Sequence, residues 1–282
     1  MRRNKMLKYT LIGHPLGHSM SPFIHQKLFE LSGVSAEYNC TDIVPDEFDL
    51  KVSELSTLDG FNITIPYKTE IIPHLDIIDD SAKRYKSVNC VHNNNGRLVG
   101  YNTDCEGFLR SLKDFPLNKN VLLLGCGGVG RMIAIEAVLH GANLTIAIIE
   151  DARKMAVNLL AEISEISPGS KVKIILIDEI KDKFDLLINA TPVGMYPESD
   201  ACPVSEEVIS NCENIFDVIY NPVKTKLITT AEKLGKKTIG GMGMLVLQAV
   251  KAHEIWYNSS FTNEQIDNLI AESERKVEAD FK

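Results

Sequence analysis

The chain has 282 residues, with 30 Lys and Arg against 38 Asp and Glu, and a formal charge of -8 at pH 7. Apolar residues make up 44% and charged residues 24%, a balance suited to one large globular domain or, as the length favours, two. No basic excess is present to neutralise phosphates, which argues against a general nucleic-acid binder, and any anionic ligand must be held by local groups.

The basic N-terminal run has too short an apolar stretch for a signal peptide, and no run of roughly 18 apolar residues is present to span a bilayer. The six cysteines, Cys40, Cys90, Cys105, Cys126, Cys202 and Cys212, contain no C-x-x-C pair and match no zinc template. No metal site is expected. Cytoplasmic residence with reduced thiols is the expectation.

In chain order, residues 8–13 read as a first strand. The loop from His14 to Ser21 is dense in turn residues, and Ser21 before Pro22 reads as a helix cap, with the helix running over 22–31 and stopping at Gly33. A strand over 37–43, a helix over 45–55 and a β-rich stretch over 60–65 follow. Residues 87–91 and 97–101 read as a hairpin around Asn93-Asn94-Asn95-Gly96, and a helix over 106–112 comes next. Alternating strands and helices favour an α/β sheet with mainly parallel strands.

The organising stretch of the second half is VLLLGCGGVGR, residues 121–131. A buried strand runs into a glycine turn and then an amphipathic helix, the context in which G-x-G-x-x-G points to dinucleotide binding. Backbone without side chains approaches a pyrophosphate, and the helix N-terminus offers N–H groups and partial positive charge. The βα pattern continues with strands at 143–149, 171–177, 184–189 and 215–219 and a helix over 152–163, as in a doubly wound sheet. Ligands of such sheets lie beyond the carboxyl ends of the strands. Helices over 242–257 and 263–276 end the chain and are expected to pack back on the first lobe. The expected organisation is a substrate-binding domain over 1–108, a dinucleotide-binding domain over 109–240 and C-terminal helices over 241–282, with a cleft between two lobes.

Two polar clusters precede the glycine turn. Asn62 and Thr64 point to one face if both lie on a strand, with Lys68 beyond Pro66, and Asn102-Thr103-Asp104 stands at another strand end. On spacing alone a Lys68–Asp104 pair reads equally as a solvated surface pair.

Seven motifs in order carry a resemblance. They are Ser19-Met20-Ser21-Pro22, residues 60–68 (GFNITIPYK), Ser87-Val88-Asn89, Gly100-Tyr101-Asn102-Thr103-Asp104, the glycine turn, residues 189–195 (NATPVGM) and residues 241–249 (GMGMLVLQA). From about residue 8 to 257 the chain resembles the shikimate dehydrogenases. These enzymes reduce 3-dehydroshikimate to shikimate with a nicotinamide cofactor on the route to aromatic amino acids.

The resemblance implies Lys68 and Asp104 as the catalytic pair. Ser19 and Ser21 would bind the substrate carboxylate, and Asn62, Thr64, Asn89, Tyr220 and Gln248 would complete the pocket. For the cofactor it implies Gly125, Gly127, Gly128, Val129 and Gly130, with Thr191, Gly194, Met195 and Gly241 along its border. The chemistry suits these types: an ammonium stabilises the charge growing on a carbonyl oxygen as hydride adds and delivers the proton. His14, His18 and His25 read as loop or pocket-rim residues. Tyr67 stands where the family often has histidine and is expected to alter pocket polarity.

The strand after the glycine helix ends in Ile148-Ile149-Glu150, where NADP-using members have Asn-Arg-Thr. Glu150 lies 20 positions beyond Gly130, the place of an acid that binds ribose hydroxyls of NAD. NAD is therefore expected over NADP, although Arg153 and Lys154 stand close enough to meet a 2′-phosphate, and Glu150 also reads as the first-turn acid of a helix. A quinate/shikimate dehydrogenase shares every motif. A non-catalytic dinucleotide-binding regulator or a methyltransferase is a more distant reading. The expected partner is a small-molecule substrate, with no nucleic acid and no membrane, and the chain a monomer or homodimer.

Overall fold

A computed structural model describes residues 6–17 and 19–280, so His18 lies outside the described residues. The chain divides into two compact units: the residues up to Gly107 with Val246–Ser273, and Phe108–Leu245 with the residues from Glu274 on. The segment expected to form one C-terminal element after residue 240 is thus shared between the units.

The first unit contains β1 (Leu7–Gly13), α1 (Ser21–Ser32), β2 (Ala36–Asp42), α2 (Phe48–Leu55), β3 (Gly60–Ile63), β4 (Ile77–Ile78), α3 (Asp80–Tyr85), β5 (Cys90–Asn94) and β6 (Arg97–Tyr101), and α4 (Asp104–Leu112) begins in it. Its sheet runs β2-β1-β3-β5-β6-β4. β1 pairs in parallel with β2 and β3, and β4 with β6, while β5 is antiparallel to β3 and β6. Alternate side chains sort to the two faces. Ile12, Phe61 and Ile63 join Phe48, Val52 and Leu55 of α2, whereas Tyr9, Leu11 and Cys90 meet Phe29 of α1 and Trp256.

The antiparallel pairing positions the polar clusters. Asn62 near the end of β3 faces Cys90 at the start of β5, and Cys90 faces Tyr101 at the end of β6. One end of these three central strands therefore collects Asn62, Asn89 and residues 102–104. The hairpin that enforces this turns at Asn95 and Gly96, whose φ values of 54° and 89° are the left-handed pair a two-residue turn requires.

The second unit contains β7 (Asn120–Leu124), α5 (Gly128–Leu139), β8 (Asn143–Ile148), α6 (Arg153–Ile166), β9 (Lys171–Leu176), β10 (Phe184–Asn189), α7 (Glu206–Ser210), β11 (Cys212–Asp217), α8 (Lys226–Lys233) and β12 (Lys237–Ile239). α9 (Met242–Tyr257) and α10 (Asn263–Asp280) complete the described chain. The sheet order is β12-β11-β10-β7-β8-β9, every pair parallel. The order reverses between β7 and β10, the switch point where doubly wound sheets bind their ligands. The loops after both strands carry expected cofactor residues.

The fold corrects several local expectations. Ser21 is the first helical residue of α1 and makes no side-chain cap; the Ser21 N–H donates to Ser19 Oγ at 3.2 Å. Ladder pairing of β3 ends at Ile63, so Thr64 lies beyond the strand, in the turn leading to Lys68. β11 begins earlier than periodicity implied and ends at Asp217, placing Ile219 and Tyr220 in the following loop. α5 is buried from Gly130 to Val138 apart from Arg131, rather than amphipathic. α7 and α8 escaped the apolar pattern; side chains of Ser205 and Thr225 cap them, accepting from the Val208 and Ile228 N–H groups.

Candidate active site

In the first unit Lys68 Nζ donates to Asp104 Oδ2 at 2.6 Å, with the side chains 25% and 17% exposed. Both ends are anchored. The Lys68 carbonyl accepts from Val88 N at 2.7 Å. Next to it, Tyr67 is wholly buried, stacks on Phe48 with centroids 4.2 Å apart and donates its hydroxyl to the Ile43 carbonyl. Tyr67 is therefore a core anchor that fixes the turn carrying Lys68, not a group that sets pocket polarity.

Asp104 opens α4, where the helix dipole favours an acid. Asn102 Oδ1 accepts from the Asp104 and Cys105 N–H groups at 3.1 and 3.4 Å, and its amide donates to the Ser87 carbonyl at 3.0 Å. Asn89 Nδ2 donates to Asp104 Oδ1 at 2.7 Å, so each carboxylate oxygen has a defined donor.

Around this pair three of the expected substrate residues, Asn62, Asn89 and Gln248, join one network through Thr103. Asn89 Oδ1 accepts from Thr103 N at 2.7 Å. The Thr103 hydroxyl lies 3.3 Å from Gln248 Oε1, on α9. Asn62 is buried: Tyr38 donates to its Oδ1 at 2.9 Å, and its Nδ2 donates to the Asn89 carbonyl at 3.1 Å. Ser19 and Ser21 are half-buried at the start of α1. The loop before them is pinned by Asp42, which takes His14 Nδ1 at 2.6 Å and Leu16 N at 2.7 Å. Thr64 is half-buried beside Gly13, and its N–H donates to the Ile12 carbonyl. Tyr220 belongs to the second unit, half-buried, with its hydroxyl pKa raised by burial.

His25 is not a rim residue. It is wholly buried on α1, stacks on Tyr38 at 4.1 Å and shares a 2.9 Å hydrogen bond with His253. Burial lowers its pKa to about 3. Burial likewise pushes the Cys90 thiol up, leaving it an inert core group. Among the described residues no group of three or more His, Cys, Asp or Glu is arranged to hold a metal.

In the second unit the glycines divide by task. Gly125 has φ +87°, and a Cβ there would meet Thr191 Cγ2 at 2.9 Å. A Cβ on Gly130 would stand 2.6 Å from the Gly125 carbonyl oxygen. Gly127 and Gly128 face open space, with no heavy atom within 4 Å of an added Cβ, and Gly127 precedes α5 without a side-chain cap. Val129 follows in the first turn. This open helix start is chemically suited to a pyrophosphate.

Thr191 and Met195 border the β10 exit; Gly194 is buried with φ +95°, and Gly241 packs so tightly that a Cβ would fall 2.1 Å from the Val218 carbonyl oxygen. Glu150 is exposed in the short turn Glu150–Ala152 before α6 and accepts from Arg153 Nε at 2.6 Å and Nη2 at 2.8 Å.

Thr103, Tyr38 and Asp217 were not singled out from sequence. Thr103 sat inside a motif whose flanking residues drew the chemistry. Asp217 carried a usable signal, an acid inside the apolar run Ile-Phe-Asp-Val-Ile that becomes wholly buried.

A family profile for the shikimate dehydrogenase substrate binding domain matches residues 11–91. A protein of Caldanaerobacter subterraneus named shikimate dehydrogenase (NADP(+)) is 36% identical over 260 residues, covering 90% of this chain and 92% of the relative. The crystal structure of a shikimate dehydrogenase in complex with NADP+ superposes with a TM-score of 0.86 at 35% identity, covering 96% of this chain and 97% of that one. A shikimate 5-dehydrogenase from Listeria monocytogenes, solved with shikimate and NAD, gives a TM-score of 0.83 at 29% identity over 94% of this chain and 96% of that one. A sheet ordered for dinucleotide binding and a Lys–Asp pair beyond the strand ends of a second sheet define a two-unit α/β protein of the dehydrogenase type. The chain belongs to the shikimate dehydrogenase family.

Proposed function

We propose that the chain catalyses the reversible reduction of 3-dehydroshikimate to shikimate with a nicotinamide dinucleotide, serving aromatic amino acid biosynthesis. The observation that carries this reading is the 2.6 Å Lys68–Asp104 contact, with Asn89 holding the second carboxylate oxygen. When bound, the nicotinamide ring supplies the hydride that adds to the C3 carbonyl carbon. The Lys68 ammonium meets the negative charge growing on the carbonyl oxygen and passes it a proton, so the oxygen ends as a hydroxyl and the lysine takes a proton back from solvent.

Asp104 holds the amine and accepts from a ring hydroxyl. Ser19 and Ser21 bind the carboxylate; Asn62, Thr64 and Gln248 complete the polyol pocket. Asn89 serves twice, since its amide already holds Asp104. Missing any one partner leaves a buried polar group unpaired, which is how neutral hydroxyls and amides discriminate. Gly125, Gly127, Gly128, Val129 and Gly130 would cradle the pyrophosphate, with Thr191, Gly194, Met195 and Gly241 beside the rest of the cofactor.

For the cofactor's finer identity, the relatives' names carry NADP(+). The chemistry at the end of β8 favours NAD: Glu150 is followed by Asp151, and Glu150 already occupies the Arg153 fork in a two-point pair. A carboxylate there accepts from ribose hydroxyls and repels a 2′-phosphate.

Steady-state rates of cofactor reduction with shikimate or quinate, paired with NAD or NADP, test the whole reading. Turnover of shikimate with a higher kcat/KM for NAD is the expected result. Turnover of neither acid with either cofactor would end the dehydrogenase reading, and a clear NADP advantage would end the NAD preference.

A further inference from the structure

One buried carboxylate has no part in the chemistry above. Asp217 closes β11 and is wholly buried in the second unit. Three donors from three segments converge on it. Asn189 Nδ2 donates to Oδ1 at 3.0 Å and Ile219 N to the same oxygen at 3.1 Å, while the Thr225 hydroxyl donates to Oδ2 at 2.7 Å.

Each donor leads onward. The other end of the Asn189 amide, Oδ1, accepts from Thr191 N at 3.1 Å and from the Thr191 hydroxyl at 2.7 Å. Thr191 in turn lies against Gly125, whose absent Cβ would meet its methyl at 2.9 Å. Ile219 N sits one residue before Tyr220, in the loop on which Gly241 packs. Thr225 Oγ1 also accepts from Ile228 N at 3.2 Å and so caps α8.

We infer that Asp217 is a positioning residue that fixes the cofactor-facing edge of the second unit, tying the loops after β10 and β11 and the start of α8 to one carboxylate. The inference rests on the dinucleotide reading of the glycine turn. Its physical warrant is the cost of the group. A wholly buried acid is expensive, and here three aimed donors rather than a counter-ion offset that cost. The carboxyl is pushed up to about 6 by burial, against the pull of its three donors. An apolar side chain would fill the same volume, yet it would leave Asn189 free to turn and take Thr191 with it. The acid therefore sets geometry, not packing.

The test separates dinucleotide binding from substrate binding. Dissociation constants of NAD and NADP, and separately of shikimate, are measured by calorimetric titration for wild type, Asp217→Leu, Asp217→Asn and Thr225→Val, with thermal unfolding alongside. Asp217→Leu is expected to weaken both dinucleotides tenfold or more and shikimate less than twofold. Asp217→Asn keeps an acceptor for Asn189 and Ile219, and Thr225→Val removes one of the three donors together with the cap of α8, so each should weaken dinucleotides about threefold. Should Asp217→Leu fail to fold, the two milder variants decide. Folded variants that hold dinucleotide within twofold of wild type overturn the positioning role, as does an equal loss of shikimate affinity, which marks general damage. A wild type that binds neither dinucleotide removes the parent reading instead.

Discussion

Replacing Lys68 by Ala separates the lysine's part in the reaction from its part in the fold. The ion pair is partly exposed, and after truncation Asp104 keeps the Asn89 amide at 2.7 Å, so no carboxylate is orphaned. Asp104 Oδ2, largely shielded, loses its donor, so the folding cost is about 1 to 3 kcal/mol. Catalysis has more to lose, because the ammonium both stabilises the developing oxyanion and supplies its proton. Loss of a positioned general acid lowers rates roughly 100- to 10,000-fold, or about 3 to 5 kcal/mol of barrier. The substrate carboxylate and ring hydroxyls keep their other partners, so KM for shikimate should move less than about threefold. Following reduced-cofactor absorbance against shikimate concentration gives both constants, and circular dichroism confirms the fold. A folded variant with kcat within threefold of wild type would remove Lys68 from the mechanism.

Asn89→Ala leaves the buried Thr103 N–H without its acceptor and frees Asp104 Oδ1, so stability should fall by about 1 to 3 kcal/mol and kcat by tenfold or more; an unchanged denaturant midpoint would contradict this. Glu150→Ala frees the Arg153 guanidinium, and the ratio of kcat/KM for NADP over NAD should rise at least tenfold, whereas an unmoved ratio would make Glu150 a bystander. Acid should weaken the first unit through its imidazoles. His25 titrates near 3 when folded against an ordinary 6.5, and His253 is also lowered by burial and by His25. The unfolded chain takes up these protons first, so stability falls as pH drops from 6.5 toward 3, and His25 alone costs about 2 kcal/mol at pH 5. Asp217, raised to about 6, works in the opposite direction between 6 and 4. Urea titrations at pH 7 and 5 should show the net loss, and His253→Phe should reduce it by that imidazole's share; a loss unchanged in the variant would exclude His253 from it.

What the sequence made legible follows from which signals are local. The strand, glycine turn and helix at residues 121–139 stand out because the period changes within a few residues. The Asn95-Gly96 turn is equally local, and it set the register that brings Asn89 beside Asp104. The Lys68–Asp104 pairing was not local: 36 positions separate the two, and only the motif order suggested that they meet. Long-range partnerships stayed hidden for the same reason. His25 finds His253 across 228 positions, and a histidine close to a turn-rich loop looks like a rim residue until α9 covers it. Ser21 misled because serine before proline is a helix-start signal, and it does mark the start, but Ser19 supplies the oxygen. Asp217 was written over as one polar letter in an apolar strand, and that interruption marked a junction of three segments.

The central claim is that hydride passes between a nicotinamide and the ring carbon that bears the oxygen served by Lys68. Incubating the protein with 3-dehydroshikimate and cofactor carrying deuterium at the nicotinamide C4, then weighing the product by mass spectrometry, tests this directly. One deuterium per shikimate, lodged at C3 and delivered from only one face of the nicotinamide, is the predicted result. Shikimate formed without deuterium from either face, or no shikimate at all from a folded protein that binds both ligands, would contradict it.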